Sequence, residues 1–176
     1  MSKGVAVLIP VVTALLAAAG CAPAEDKQSG AGAPASCDKA SLATLQPGVL
    51  TFGTDQPAYP PWFVGDVPAN GKGFESAVAY AVAGKLGYEP SEVAWVRVPF
   101  NAAIAPGPKT FDANLNEFSI TDERRKAVDF SSSYYDLSQA VVSYKGSPIA
   151  DVTTVAGLKD AKLGAAIGTT SLKAIE

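Results

Sequence analysis

Apolar positions in this chain fall into short runs and one long repeat, separated by stretches rich in proline, glycine and polar residues. Residues 49–53 form an apolar run closed by Gly53, and turn signals follow at Pro57, Pro60 and Pro61, the pattern of a buried strand that ends in a loop. Phe74, Val78, Val82 and Leu86 then recur at every fourth position with Ala77 and Ala81 beside them, which predicts an amphipathic helix terminated by Gly87. The β-branched and aromatic content of residues 93–98 predicts a second strand. A short helix is expected over residues 99–105, broken by Pro106-Gly107-Pro108. Further strands are expected at 111–115, 139–144 and 162–167, with a helical turn at 155–159 and a helix opening at Gly168-Thr169-Thr170-Ser171. Strands alternating with helical crossovers imply an α/β fold with parallel strands.

The first residues read as an address rather than as fold. Lys3 supplies a positive start and residues 5–19 a short apolar run ending in small side chains, so 1–20 is expected to be a signal peptide. The run leads into Ala18-Ala19-Gly20-Cys21, which resembles the lipobox of bacterial lipoproteins, with Ala18 where leucine is usual. That resemblance implies lipidation of Cys21; Ala22-Pro23-Ala24 fits an ordinary cleavage site and a released protein instead. If Cys21 is acylated, Cys37 has no partner in the chain; if it is not, an oxidising compartment permits a disulfide between them. Residues 21–37 are mostly Ala, Gly, Pro and Ser, too poor in large apolar groups to repay their ordering entropy, and are expected to form a flexible tether.

Composition narrows the chemistry. The 176 residues carry a net charge of -3, with Lys and Arg scattered, so no basic field favours nucleic acid. Histidine is absent, which excludes Ser-His-Asp and Cys-His nucleophiles and His-ligated metals. Catalysis would be left to carboxylates, lysine or tyrosine.

The densest chemistry lies in Ser119-Ile120-Thr121-Asp122-Glu123-Arg124-Arg125-Lys126-Ala127-Val128-Asp129-Phe130-Ser131, with Tyr134-Tyr135 behind it. Arg124 offers a two-pronged donor for a carboxylate and Ser119 a hydroxyl, although a capped surface helix with solvated charges accounts for the same residues. This segment is similar to the hallmark of the polar amino-acid-binding proteins of ABC importers, the bacterial extracellular solute-binding family 3. Gly53-Thr54-Asp55 with Tyr59-Pro60-Pro61, Gly73-Phe74-Glu75 and Gly168-Thr169-Thr170-Ser171 agree with it in order and spacing.

The resemblance implies a periplasmic-binding-protein-like fold of type II, two-lobed, with mainly parallel sheets. Lobe 1 would span 38–138; a hinge crossing and an incomplete lobe 2 would span 139–176. It also implies that Arg124 grips the ligand's α-carboxylate, that Ser119 shares carboxylate and amine, that Asp55 reaches the ligand side chain and that Tyr59 lies against it. Thr169 and Thr170 would meet an anionic oxygen from the second lobe, N-capping being their plainer reading. No catalytic residue, metal or cofactor is implied. The partners implied are an amino acid or analogue, a membrane permease and the membrane itself through the lipid, for a monomer on the outer face of the cell membrane. Glu117 departs from the pattern, standing where a small residue is usual, and either narrows the pocket, favours a cation or points to solvent. Because family members continue further, residues 22–176 alone are expected to bind weakly or not at all. Two other classes share the fold: dehydratase-like or lyase-associated enzymes, for which Glu117 or Asp55 would serve as acid, and ligand-sensing input modules.

Overall fold

Strand β1 (Leu50–Thr54) is the centre of the molecule, and every one of its residues is buried. The computed structural model describes residues 38–176, so the expected signal peptide, the lipidation of Cys21, the tether and the state of Cys37 lie outside the described residues. β1 pairs in parallel with β2 (Val93–Arg97), Leu50 opposite Val93, and on its other edge with β3 (Ala113–Asn114), Phe52 opposite Ala113. The sheet order is therefore β2-β1-β3. Parallel neighbours require crossovers, and helices α1 (Phe74–Lys85) and α2 (Phe100–Ala103) supply them. The result is the mixed α/β fold with a parallel sheet that the repeat of elements implies. Asp112 fixes the third strand: its two carboxylate oxygens accept the Leu45 and Thr51 N–H groups, each at 2.7 Å.

The core gathers Leu50, Phe52, Phe63, Ala79, Ala83 and Tyr88, with Trp95 packed against Phe52 and Phe63 at ring distances of 5.4 and 5.7 Å. Helix α1 ends as expected at Gly87, whose φ of 83° an L side chain rarely adopts. The Tyr88 N–H returns to the Ala83 carbonyl and the Gly87 N–H to Gly84, which closes the helix in a Schellman motif.

Orientation is where α1 departs from its apolar repeat. The residues it buries are Glu75, Ser76, Ala79 and Ala83, while Phe74 and Val82 are exposed. The core takes in the small Ala79 and Ala83 fully and Val78 and Leu86 in part, and Phe74 and Val82 fall on the helix's shoulder. There Phe74 meets the rings of Trp62, Tyr134 and Tyr135. Val78 and Val82 line an open cavity of about 610 Å³ between α1, β3 and residues 128–139.

Two expected strands do not form. Among the described residues, 139–144 and 162–167 take no regular structure and pair with no strand, and Val142 is 90% and Ile167 79% exposed. A strand needs a neighbour to accept its ladder, and none reaches either segment. The expected turn at 155–159 is a 3-10 turn, Val155–Leu158, and the last helix is α3 (Thr170–Ile175).

Candidate functional site

The segment that carries the motif chemistry forms a single tight turn. Thr121 Oγ1 accepts the Arg124 N–H at 3.2 Å, starting the 3-10 turn Arg124–Lys126 and directing the Arg124 side chain back along its own chain. Arg124 as a residue is buried, at 8% exposure. Its Nη1 donates to the Ser119 carbonyl at 2.7 Å and its Nη2 to the Gly168 carbonyl at 2.9 Å. No carboxylate among the described residues forms an ion pair with it. Burial lowers its pKa and the neighbouring Glu123 opposes that, but a guanidinium keeps its charge in protein. An ionised group held this far from water needs compensation, and part of it comes from aromatic faces: the guanidinium carbon lies 5.3 Å from the Phe100 ring and 5.8 Å from Phe118. The two rings stack on each other at 4.5 Å.

Residues from distant parts of the chain meet this turn. The hydroxyls of Ser119 and Thr170 are 3.1 Å apart, and Gln139 Nε2 reaches Thr170 Oγ1 at 3.3 Å. Thr169 caps α3, its Oγ1 accepting the Leu172 N–H at 3.2 Å and donating to the Ala166 carbonyl at 2.7 Å. Gly168, at φ 82°, lies so near Asn101 that a Cβ there would sit 2.1 Å from Asn101 Oδ1. Four of the expected residues, Ser119, Arg124, Thr169 and Thr170, thus form one cluster.

Asp55 approaches it from the end of β1. Its carboxylate accepts the Phe100 N–H at 3.0 Å, at the first residue of α2, and the Gln56 N–H at 2.7 Å. The acid is therefore one residue's contact away from Arg124, through Phe100. Tyr59 is not gathered in: it is 62% exposed, and its carbonyl accepts the Phe63 N–H within the proline-rich loop.

Sequence reasoning passed over four contributors. Phe100 and Phe118 form the aromatic face of Arg124, Asn101 seats Gly168, and Arg97 holds the first loop by donating to the carbonyls of Asp55 and Asp66 at 2.5 and 2.6 Å. Arg97 also pairs with the Asp66 carboxylate at 2.9 Å, and the Ala58 N–H, with Arg97, holds that carboxyl below its usual range. The available signal was positional: Arg97 ends β2, Phe100 and Asn101 follow it and Phe118 follows β3, at the strand ends where parallel sheets present their sites. Glu117 lines the cavity together with Glu75. Burial, and then the charge of Glu75, pushes its carboxyl up to about 7. Among the described residues no acid, thiol or histidine cluster is arranged to hold a metal, and no helix is long and apolar enough to cross a membrane.

Comparison with known proteins bears on what such a cluster is for. The chain is 30% identical to an L-arginine-binding protein of Pseudomonas aeruginosa over 129 residues, which is 69% of this chain and 48% of that protein. It is 29% identical over 132 residues to the lysine/arginine/ornithine-binding periplasmic protein of Escherichia coli, covering 74% of this chain and 48% of the other. It is 37% identical over 86 residues to the arginine-binding extracellular protein ArtP of Bacillus subtilis, covering 48% and 32%. The chain spans about half the length, or less, of these curated relatives. No solved structure matches it. The sequence model of the bacterial extracellular solute-binding proteins, family 3, matches residues 50–174, from the first strand through the last helix, and the chain belongs to that family.

Proposed function

We propose that this chain captures a free amino acid outside the cytoplasm and presents it to the permease of an ABC importer, with the basic amino acids arginine, lysine and ornithine as the preferred class. One observation carries the reading: Arg124, buried, charged and flanked by two aromatic rings, is held by backbone carbonyls and, among the described residues, forms no ion pair with a carboxylate. A ligand carboxylate supplies that missing charge, in the bidentate geometry a guanidinium favours. The hydroxyls of Ser119 and Thr170 then complete the shell around the carboxylate and amine, Thr169 presents the start of α3, and Asp55 turns to the ligand side chain. Tyr59 joins from its exposed position when the first loop folds in. The names of the relatives give the basic class its support. Capture breaks no bond and calls on no cofactor.

In the same reading residues 38–138 form the first lobe and 139–176 the crossing and the start of a second, so that closure of one over the other traps the ligand. Lipidated Cys21 would tether the protein by residues 21–37 to the outer face of the membrane, as a monomer. Calorimetric titration of the full-length protein tests the core of this. L-Arginine, L-lysine and L-ornithine should bind more tightly than L-glutamate, and L-argininamide, which lacks the carboxylate, should bind far more weakly than L-arginine. Equal binding of L-arginine and its amide would remove Arg124 from the role given to it.

A further inference from the structure

Glu75 is fully buried on the core side of α1, and no cation faces it. Its Oε1 accepts the Glu117 N–H at 2.8 Å and the Tyr134 hydroxyl at 2.5 Å. Its Oε2 is buried with no hydrogen-bond partner. Glu117 stands at φ 54°, a conformation a non-glycine residue holds only when its surroundings enforce it. The bond to Glu75 is that enforcement. Glu117 lies two residues before Ser119, whose carbonyl holds Arg124. Tyr134 opens the segment that runs on to Gln139, which reaches Thr170 and Ser171. One carboxyl group thus joins both approaches to the site.

We propose that Glu75 is a positioning residue of the amino-acid site, tying the turn before Ser119 to Tyr134, and that proton loss from the Glu75–Glu117 pair slackens this tie and shifts Ser119 and Arg124. This rests on the reading of Ser119 and Arg124 as ligand-binding residues. The groups around Glu75 decide the sign. Glu117 faces it from the turn after β3 and Tyr134 from the 131–137 segment; Asp112, Asp129 and Asp136 line the same cavity, and among the described residues no lysine or arginine does. Asp112 is satisfied by two N–H groups, which leaves the Glu75–Glu117 pair with the repulsion. Burial raises the pKa of Glu75 against the opposing bonds from Tyr134 and Glu117, and burial with the Glu75 charge raises Glu117 to about 7. Groups raised in this way favour the folded arrangement while protonated. The two bonds to Oε1 by themselves favour an ionised Glu75, so the tie slackens only through the second charge: it holds while the pair keeps a proton and is opposed by carboxylate repulsion once Glu117 ionises, as pH rises through about 7.

Amide exchange in the ligand-free, full-length protein reads the tie directly. Protection of the Glu117 amide, corrected for the intrinsic pH dependence of exchange, should fall several-fold between about pH 5.5 and 8.5 as the second carboxylate of the pair ionises. The Arg124 Nε–H resonance, set by the Phe100 and Phe118 rings, should move with the same midpoint. Glu75→Gln keeps an acceptor oxygen and does not titrate, so both profiles should flatten. Tyr134→Phe, the gentler change, should lower protection at every pH and keep the titration. A flat wild-type profile overturns the proposal, as does a Glu75→Gln profile that matches wild type or an Arg124 resonance that ignores the transition. Titration with L-arginine accompanies these measurements: if the wild type takes up none, the ligand reading fails, while the exchange profiles still decide the tie.

Discussion

Replacing Arg124 by alanine removes the one cation in the cluster, and the expected loss of affinity for a free amino acid is about 2–3 kcal/mol, or roughly 30- to 150-fold in calorimetric titration. Arg124→Lys should recover little of it, because a point charge cannot span two oxygens in one plane. Stability at the residue scale depends on a different position. Gly73 has φ 97°, and a Cβ there would lie 2.4 Å from the Trp62 carbonyl oxygen, which is backbone and cannot swing aside. Gly73→Ala should cost about 2–3 kcal/mol in urea denaturation, from a strained φ and a clash together. Arg124 and Ser119 were legible in the chain because a motif of many side chains surrounds them. Phe100 and Phe118 were not, since an isolated phenylalanine carries no mark separating a ring in the core from a ring beneath a guanidinium. Tyr59 fell within a motif and still lies outside the cluster, because its loop rather than its spacing decides where the ring points.

At the scale of elements, strand β1 and the end of α1 were readable for a plain reason: a continuous apolar run with a closing glycine, and a helix with a glycine just past its last turn, are fixed by local chemistry. The rotation of α1 was not. Its repeat of large apolar residues suggests one face, but the core is turned toward Ala79 and Ala83, which it buries fully, and takes Val78 and Leu86 only in part. Ala83→Leu should therefore destabilise by about 1–3 kcal/mol through overpacking, whereas Val82→Ser on the exposed shoulder should stay within about 0.5 kcal/mol; thermal and chemical denaturation of the two variants would show the contrast. The segments 139–144 and 162–167 illustrate the opposite limit. Their β-branched composition is real, but a strand is a relation between two segments, and composition describes only one of them.

For the molecule as a whole, buried Glu75 and its exposed neighbour Glu117 set how stability responds to pH. Glu117 is drawn up to about 7 and Glu75 is raised as well, both from the ordinary glutamate value, so the folded chain holds protons that the unfolded chain has released. Stability from this pair is full below about pH 4.5 and is lost as pH climbs toward 7. Exposure of Glu117 to water damps the effect without changing its sign. Urea midpoints should fall between pH 5 and pH 8 in the wild type and fall less in Glu75→Gln. The contact between Arg124 and the Gly168 carbonyl has a consequence of another kind. If Arg124 is the ligand clamp, the Gly168 carbonyl holds one of its two prongs before the ligand arrives, so capture would be an exchange and the dissociation constant the difference between two occupancies. Gly168→Ala, strained at φ 82° and crowded against Asn101, would disturb that prong together with Thr169 and Thr170, so any change in affinity would be the sum of a freed clamp and a displaced second contact.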